Sequence, residues 1–154
     1  MTTPVLRATP ELVAIAWLKT VVGDIVATTL PKPGSDGSLS WADTGFVTIT
    51  SAGGTPNLYV PLREPVMGVD CWATNSQSQK PPWNKAACLA EAIQAACYNH
   101  PAIPQTVTLP SGYPQARVLS AYTTGEHRRV PDDPSSYARY AVPGLVVVWT
   151  EVPS

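Results

Sequence analysis

Residues 65–73 read PVMGVDCWA. Their alternation sets Met67, Val69 and Cys71 on one face and Val66, Asp70 and Trp72 on the other, the period of two that marks a strand. Asp70 is the one acidic residue inside this strand. Working outward, TGFVTITS (44–51) alternates in the same way, with Phe46, Thr48 and Thr50 against Val47 and Ile49. SAGGTPN (51–57) has the composition of a turn, and NLYVPL (57–62) reads as a short strand closing a hairpin.

Helical patterns flank these strands. Thr9-Pro10-Glu11 is a start signal: a hydroxyl to cap free N–H groups, a proline at the first helical position and a carboxylate near the positive end of the dipole. The helix is predicted over about 10–22, with Gly23 as its stop. Its apolar residues, among them Leu12, Ala14, Ile15, Trp17, Leu18, Val21 and Val22, cover much of the circumference, so burial on more than one side is expected. Pro81-Pro82 opens a second helix running to about Tyr98, with Cys88, Leu89, Ala92, Ile93, Ala96 and Cys97 on its apolar stripe and Lys85, Glu91 and Gln94 opposite.

After a proline-rich connection, residues 116–124 and 137–152 read as two further strands, and Pro143-Gly144 predicts a bulge or an edge in the last of them. The order is helix, three strands, helix, two strands, without repeated βαβ units. The expected fold is therefore α+β over residues 1–154 as a single domain: a mostly antiparallel sheet of about five strands with two helices packed on it.

Composition narrows the function. Charged residues are 14% of the chain, against a usual level of about 25%, while the apolar fraction of 44% is ordinary. So uncharged a surface is expected to be covered in part by copies of the chain or by partners. With a net charge of −1, a pI of about 6.0 and no basic run longer than Arg128-Arg129, there is no electrostatic footprint for nucleic acid. The apolar run from Leu12 is broken by Lys19-Thr20, too early for a membrane span or a signal peptide. Three cysteines, Cys71, Cys88 and Cys97, have no CxxC spacing and read as small buried residues of a reducing cytoplasm.

Charge gathers in HRRVPDDPSSYARY (127–140), which holds Arg128, Arg129, Asp132, Asp133 and Arg139. A His beside an Asp pair suggests acid–base chemistry, but Pro131-Asp132-Asp133-Pro134 is more easily a turn, and a loop His among cations is more often solvated than catalytic. His100, before Pro101 at a helix end, reads as a cap. No metal-ligand cluster, GxSxG, P-loop or GxGxxG occurs, so no catalytic residue, metal or cofactor is expected. The other long turn region, PKPGSDGSLSWAD (31–43), carries Trp41, and an apolar ring in such a loop either docks on a partner or closes the chain's own core.

Five segments taken in order, ELVAIAWLKTVVGDIVATTLP (11–31), WADTGFVTITSAGG (41–54), YVPLREPVMGVDCWAT (59–74), PPWNKAACLAEAIQAAC (81–97) and RRVPDDPSSYARYAVPGLVVVW (128–149), resemble the tail terminator proteins of long-tailed phages that infect actinobacteria. The resemblance spans about residues 10–150 and implies a hexameric ring at the head-proximal end of the tail tube. Such a ring ends tube growth and offers the head a joining surface. It implies the major tail tube protein and a head-completion or connector protein as partners, and a place in the neck of the virion after assembly in the host cytoplasm. Loops 31–43, 74–82 and 125–136 then become contact elements, with Trp41, Arg128, Arg129, Asp132, Asp133 and Arg139 as the contact residues. Another neck ring of the virion, or a small cytoplasmic binding domain with a concave apolar pocket, are the alternatives.

Overall fold

A computed structural model describes residues 5–75, 81–99, 101–131 and 137–152. The first helix, α1 (Pro10–Val22), begins where the capping signal sets it, with Thr9 Oγ1 accepting the Leu12 N–H at 3.3 Å. It ends at Gly23, whose φ of 85° suits glycine and whose N–H donates to the Lys19 carbonyl at 3.0 Å. The second helix, α2 (Trp83–Ala96), lies between strands. The strands are β1 (Val26–Ala27), β2 (Phe46–Gly53), β3 (Val66–Ala73), β4 (Gln105–Val107), β5 (Ala116–Thr123), β6 (Arg128–Arg129) and β7 (Ala138–Glu151). They form one sheet in the order β1-β2-β3-β7-β5-β4, with β6 also paired to β7. Only the β1–β2 pair is parallel. The fold is α+β, as the sequence predicts, with a larger sheet than expected.

The alternation of β3 holds: Met67, Val69, Cys71 and Ala73 are buried, and their neighbours across the sheet, Val47 and Ile49 of β2 and Val142 and Leu145 of β7, join the same core. α1 presses Val13, Ala14, Trp17 and Leu18 onto this face, and α2 adds Ala90 and Ile93. The stripe of α2 is rotated from the expected one. Ala86, Ala90, Ile93 and Cys97 are buried, Leu89 is half-buried, and Cys88 and Ala92 face outward. Three small residues on the buried side let the helix lie close to the sheet, which turns the bulkier positions towards its flanks.

Two further expectations are corrected. Residues 57–62 are not a strand; β2 pairs with β3 itself, and the segment between them is a loop. The Asn57 side chain accounts for this, since its Oδ1 accepts the N–H groups of Tyr59 (2.9 Å) and Val60 (3.1 Å) and curls the chain before a ladder can form. The proline-rich connection contains β4, and the loop before β7 contains β6. Pro143-Gly144 is a bulge and not an edge: the pair stands opposite Gly68 alone, between Val69↔Val142 and Met67↔Leu145, inside a strand paired on both sides. Gly144 (φ 60°) is required there, because any Cβ would collide with the side chain of Thr124.

Ile93 is fully buried, so Ile93→Ala is expected to cost about 2–5 kcal/mol in urea unfolding, whereas Cys88→Ser is expected to leave the midpoint unchanged. The cysteines provide a second check. Burial, with a smaller push from Asp70, raises the Cys71 thiol to about 12, and burial raises Cys97 to about 11. At pH 8 a thiol reagent should label one cysteine, Cys88, in the native protein and three in denaturant. Both buried thiols stay protonated when folded but ionise near 9.0 when unfolded, so they contribute a loss of stability as pH rises above 9.

Candidate functional site

β7 runs the length of the sheet, and different residue types collect at its two ends. At its first end, Ala138 pairs with Ala73 at the close of β3, and the described residues beside this pair, Trp41, Trp72, Trp83 and Tyr137, come together. Trp41 packs edge-on against Tyr137, with ring centroids 5.1 Å apart, and Tyr137 in turn meets Trp72 at 6.5 Å. Two arginines lie over rings of this cluster and its neighbours, and a lysine is tied beside them. Arg139 Nε donates to Asp70 Oδ1 at 2.9 Å while its guanidinium lies 5.1 Å from the Trp72 ring. Arg129 lies 4.5 Å from the Trp83 ring, and Lys85 Nζ donates to the Ala42 carbonyl at 3.2 Å, tying α2 to the 31–43 loop. Asp70, the acidic residue inside a strand, is thereby explained: it holds the arginine that starts β7.

β6 is strapped to α2 beside this cluster. His127 Nε2 lies 2.7 Å from Glu91 Oε1, and its ring meets Tyr140 at 5.5 Å. Because a carboxylate only accepts, Nε2 carries the proton of this bond. Gln94 Nε2 donates to Glu126 Oε2 at 3.1 Å one turn further along α2. The His127 side chain is only 14% exposed, which corrects the expectation of a solvated residue; a helix packed behind the strap leaves little room for water. Among the described residues no set of nucleophile, base and orienter surrounds it, and no three His, Cys, Asp or Glu side chains could share a metal ion. No described helix is long and apolar enough to cross a membrane.

The other end carries exposed apolar groups. The return limb of the β2–β3 loop lies along the last residues of β7: the Arg63 N–H donates to Trp149 O at 2.8 Å, and Thr150 Oγ1 donates to Pro61 O at 3.1 Å. The limb is fixed, yet the tip it carries is bare, with Leu58 86% and Tyr59 91% exposed. Arg7 pairs with Glu151 at 3.2 Å, and this brings the exposed Val5 and the partly exposed Leu6 to the same end. Two shallow cavities of about 260 and 390 Å³ flank α1; the larger is lined by Leu12, Ile15, Ala16, Lys19, Leu109 and Pro110.

Of the contact residues named from the sequence, Arg128 and Arg129 are exposed. Trp41 is 2% exposed: its ring packs inside the chain against Phe46 and Tyr137, the second of the two roles that its loop allows. Arg139 is engaged by Asp70 and Trp72 within the chain. Asp132 and Asp133, like His100, lie outside the described residues. The sequence reading missed Leu58 and Tyr59, and the available signal was Asn57 ahead of three apolar residues and a proline, an Asx-turn pattern that it took for a strand.

No protein-family model matches the chain, and no curated protein matches it. Among solved structures, a chain described as "Virion of native gene transfer agent (GTA) particle" aligns with 92% of this chain and 90% of its own, at a TM-score of 0.46 and 15% identity.

The two arginine environments predict opposite outcomes. Arg139→Leu leaves the half-buried Asp70 carboxylate without its Nε–H donor and is expected to cost about 1.5–3 kcal/mol in chemical denaturation. Arg128→Glu, on an exposed side chain, is expected to leave the unfolding midpoint where it is. Equal midpoints for the two variants would show that the Asp70–Arg139 pair does not hold β7.

Proposed function

We propose that this protein is a structural subunit of a phage-like virion, forming a ring, hexameric by resemblance, at the head-proximal end of the tail tube. The ring ends tube growth and presents the surface on which the head is joined. The observation that carries the reading is the β2–β3 loop. Its limb is pinned to β7 and its turn is ordered by Asn57, yet it holds Leu58 and Tyr59 in the solvent. A rigid turn with bare apolar side chains is costly for a free monomer and well suited to an assembling one, because the ordering cost of binding is already met.

The scarcity of charge supports the same reading, since faces covered by neighbours need little of it. The sequence resemblance supplies the place in the particle and the partners: further copies of the chain, the tube protein on one side and a head-completion protein on the other. Arg128 and Arg129, exposed on the β6 strap, are available to carboxylates of such a partner, where charge sets register and encounter rate more than affinity. The test is the mass of the full chain in solution, measured alone and with tube protein. Rings are expected, at the latest when the tube acts as template. A chain that stays monomeric under both conditions and leaves tube length unchanged would overturn the reading.

A further inference from the structure

The apolar tip and the larger groove beside α1 belong to one chain but do not meet in it. The tip rises between β2 and β3. The groove is walled by Leu12, Ile15 and Ala16 of α1 and by Leu109 and Pro110 of the segment joining β4 to β5. In the strand order β2-β3-β7-β5-β4 these connections flank β7 on opposite sides, about 14 Å or more apart at ~4.8 Å per strand. Both lie at the same end of the sheet: Arg63 pairs with Trp149 behind the tip, and Ala116 pairs with Glu151 beside the groove.

Resting on the ring reading above, we propose that the Leu58–Tyr59–Val60 tip of one copy seats in the α1 groove of the next. A contact between two different patches of the same chain is heterologous and passes from copy to copy. Here the patches stand level along β7 and on either side of it, so a contact between them sets successive copies side by side with little rise from one to the next. That geometry favours a closed ring over a filament. The chemistry is complementary: Leu58 and Val60 match the aliphatic walls, and Lys19 at the rim of the groove offers an ammonium to the Tyr59 hydroxyl. The groove, about 390 Å³, is within the range of sites that bury one or two large side chains. The exposed Glu64 on the loop and exposed Lys19 at the groove are opposite in sign, as adjoining faces require.

Two full-length variants test this. Tyr59→Asp spoils the tip and keeps the groove; Ala16→Glu spoils the groove and keeps the tip. Each alone should lose ring formation, while an equimolar mixture should give a species of twice the subunit mass and nothing larger, because one intact contact remains per pair. As a second measurement, copies carrying Tyr59→Cys and copies carrying Ala16→Cys, both with Cys88→Ser, should be joined to each other by a short bifunctional maleimide. Absence of that cross-link within wild-type-like rings overturns the contact and leaves the ring reading standing. So does a Tyr59→Asp protein that still forms rings but no longer caps tubes, which would turn the tip towards the tube. Cross-linking between copies of a chain that never forms rings would uphold the contact and remove the ring reading. Neither cross-link nor ring would end both.

Discussion

The structure depends on one constraint in β7, which must serve two partners along a single edge. Residues 145–151 pair with β5 and residues 140–141 pair with β6, while β3 follows the other edge from Ala138 to Val146. Pro143-Gly144 sits where the partner changes. The proline lacks the N–H that a continuous ladder would need there, and the glycine lets Thr124 cross close by, donating its N–H to the Gly144 carbonyl at 3.1 Å. β5 and β6 are in effect one strand stepped around the bulge, and the step carries Glu126 and His127 over to α2. Without the bulge the strap would continue in plane with β5, away from the helix.

What could be read from the sequence follows the range of the interactions. α1 was legible to the residue because its signals, Thr9, Pro10 and Gly23, act within one turn. β3 was legible because period-two alternation runs its length, whereas β7 lacks that period over Leu145–Trp149, all of them buried. β1, β4 and β6 have only two or three residues each, too few for a period, and owe their existence to the strand beside them. NLYVPL failed for a local reason: Leu, Tyr and Val favour strands, but Asn57 takes two of the N–H groups a ladder would use. The stripe of α2 was misread because alanine is equally at home inside and outside, so Ala86 and Ala90 gave no direction.

The site was less legible than the fold, since its contacts join residues distant in the chain. Arg139 and Asp70 are separated by 69 positions and His127 and Glu91 by 36, and no spacing rule links them. Of the loops singled out from their composition, 31–43 meets the start of α2 and of β7 through Trp41 and the Ala42 carbonyl, and there the aromatic groups pack on one another. Trp41 is the clearest case: its loop looked like a docking arm, and its ring instead seals the space between Phe46 and Tyr137. The segment left unsatisfied was one whose composition looked like ordinary strand.

The length of β7 also acts as a ruler. Fourteen residues of nearly extended chain span about 45 Å at ~3.3 Å per residue, and the arginine-and-aromatic cluster and the bare apolar turn sit at its two limits. A single hydrogen-bonded element, stiffened by strands on both edges, fixes the distance between them. If the two ends face different neighbours in a particle, that strand sets the thickness the subunit adds between them. Adding or removing a pair of residues on one side of the bulge would change the spacing by about 7 Å while keeping every side chain on its own face.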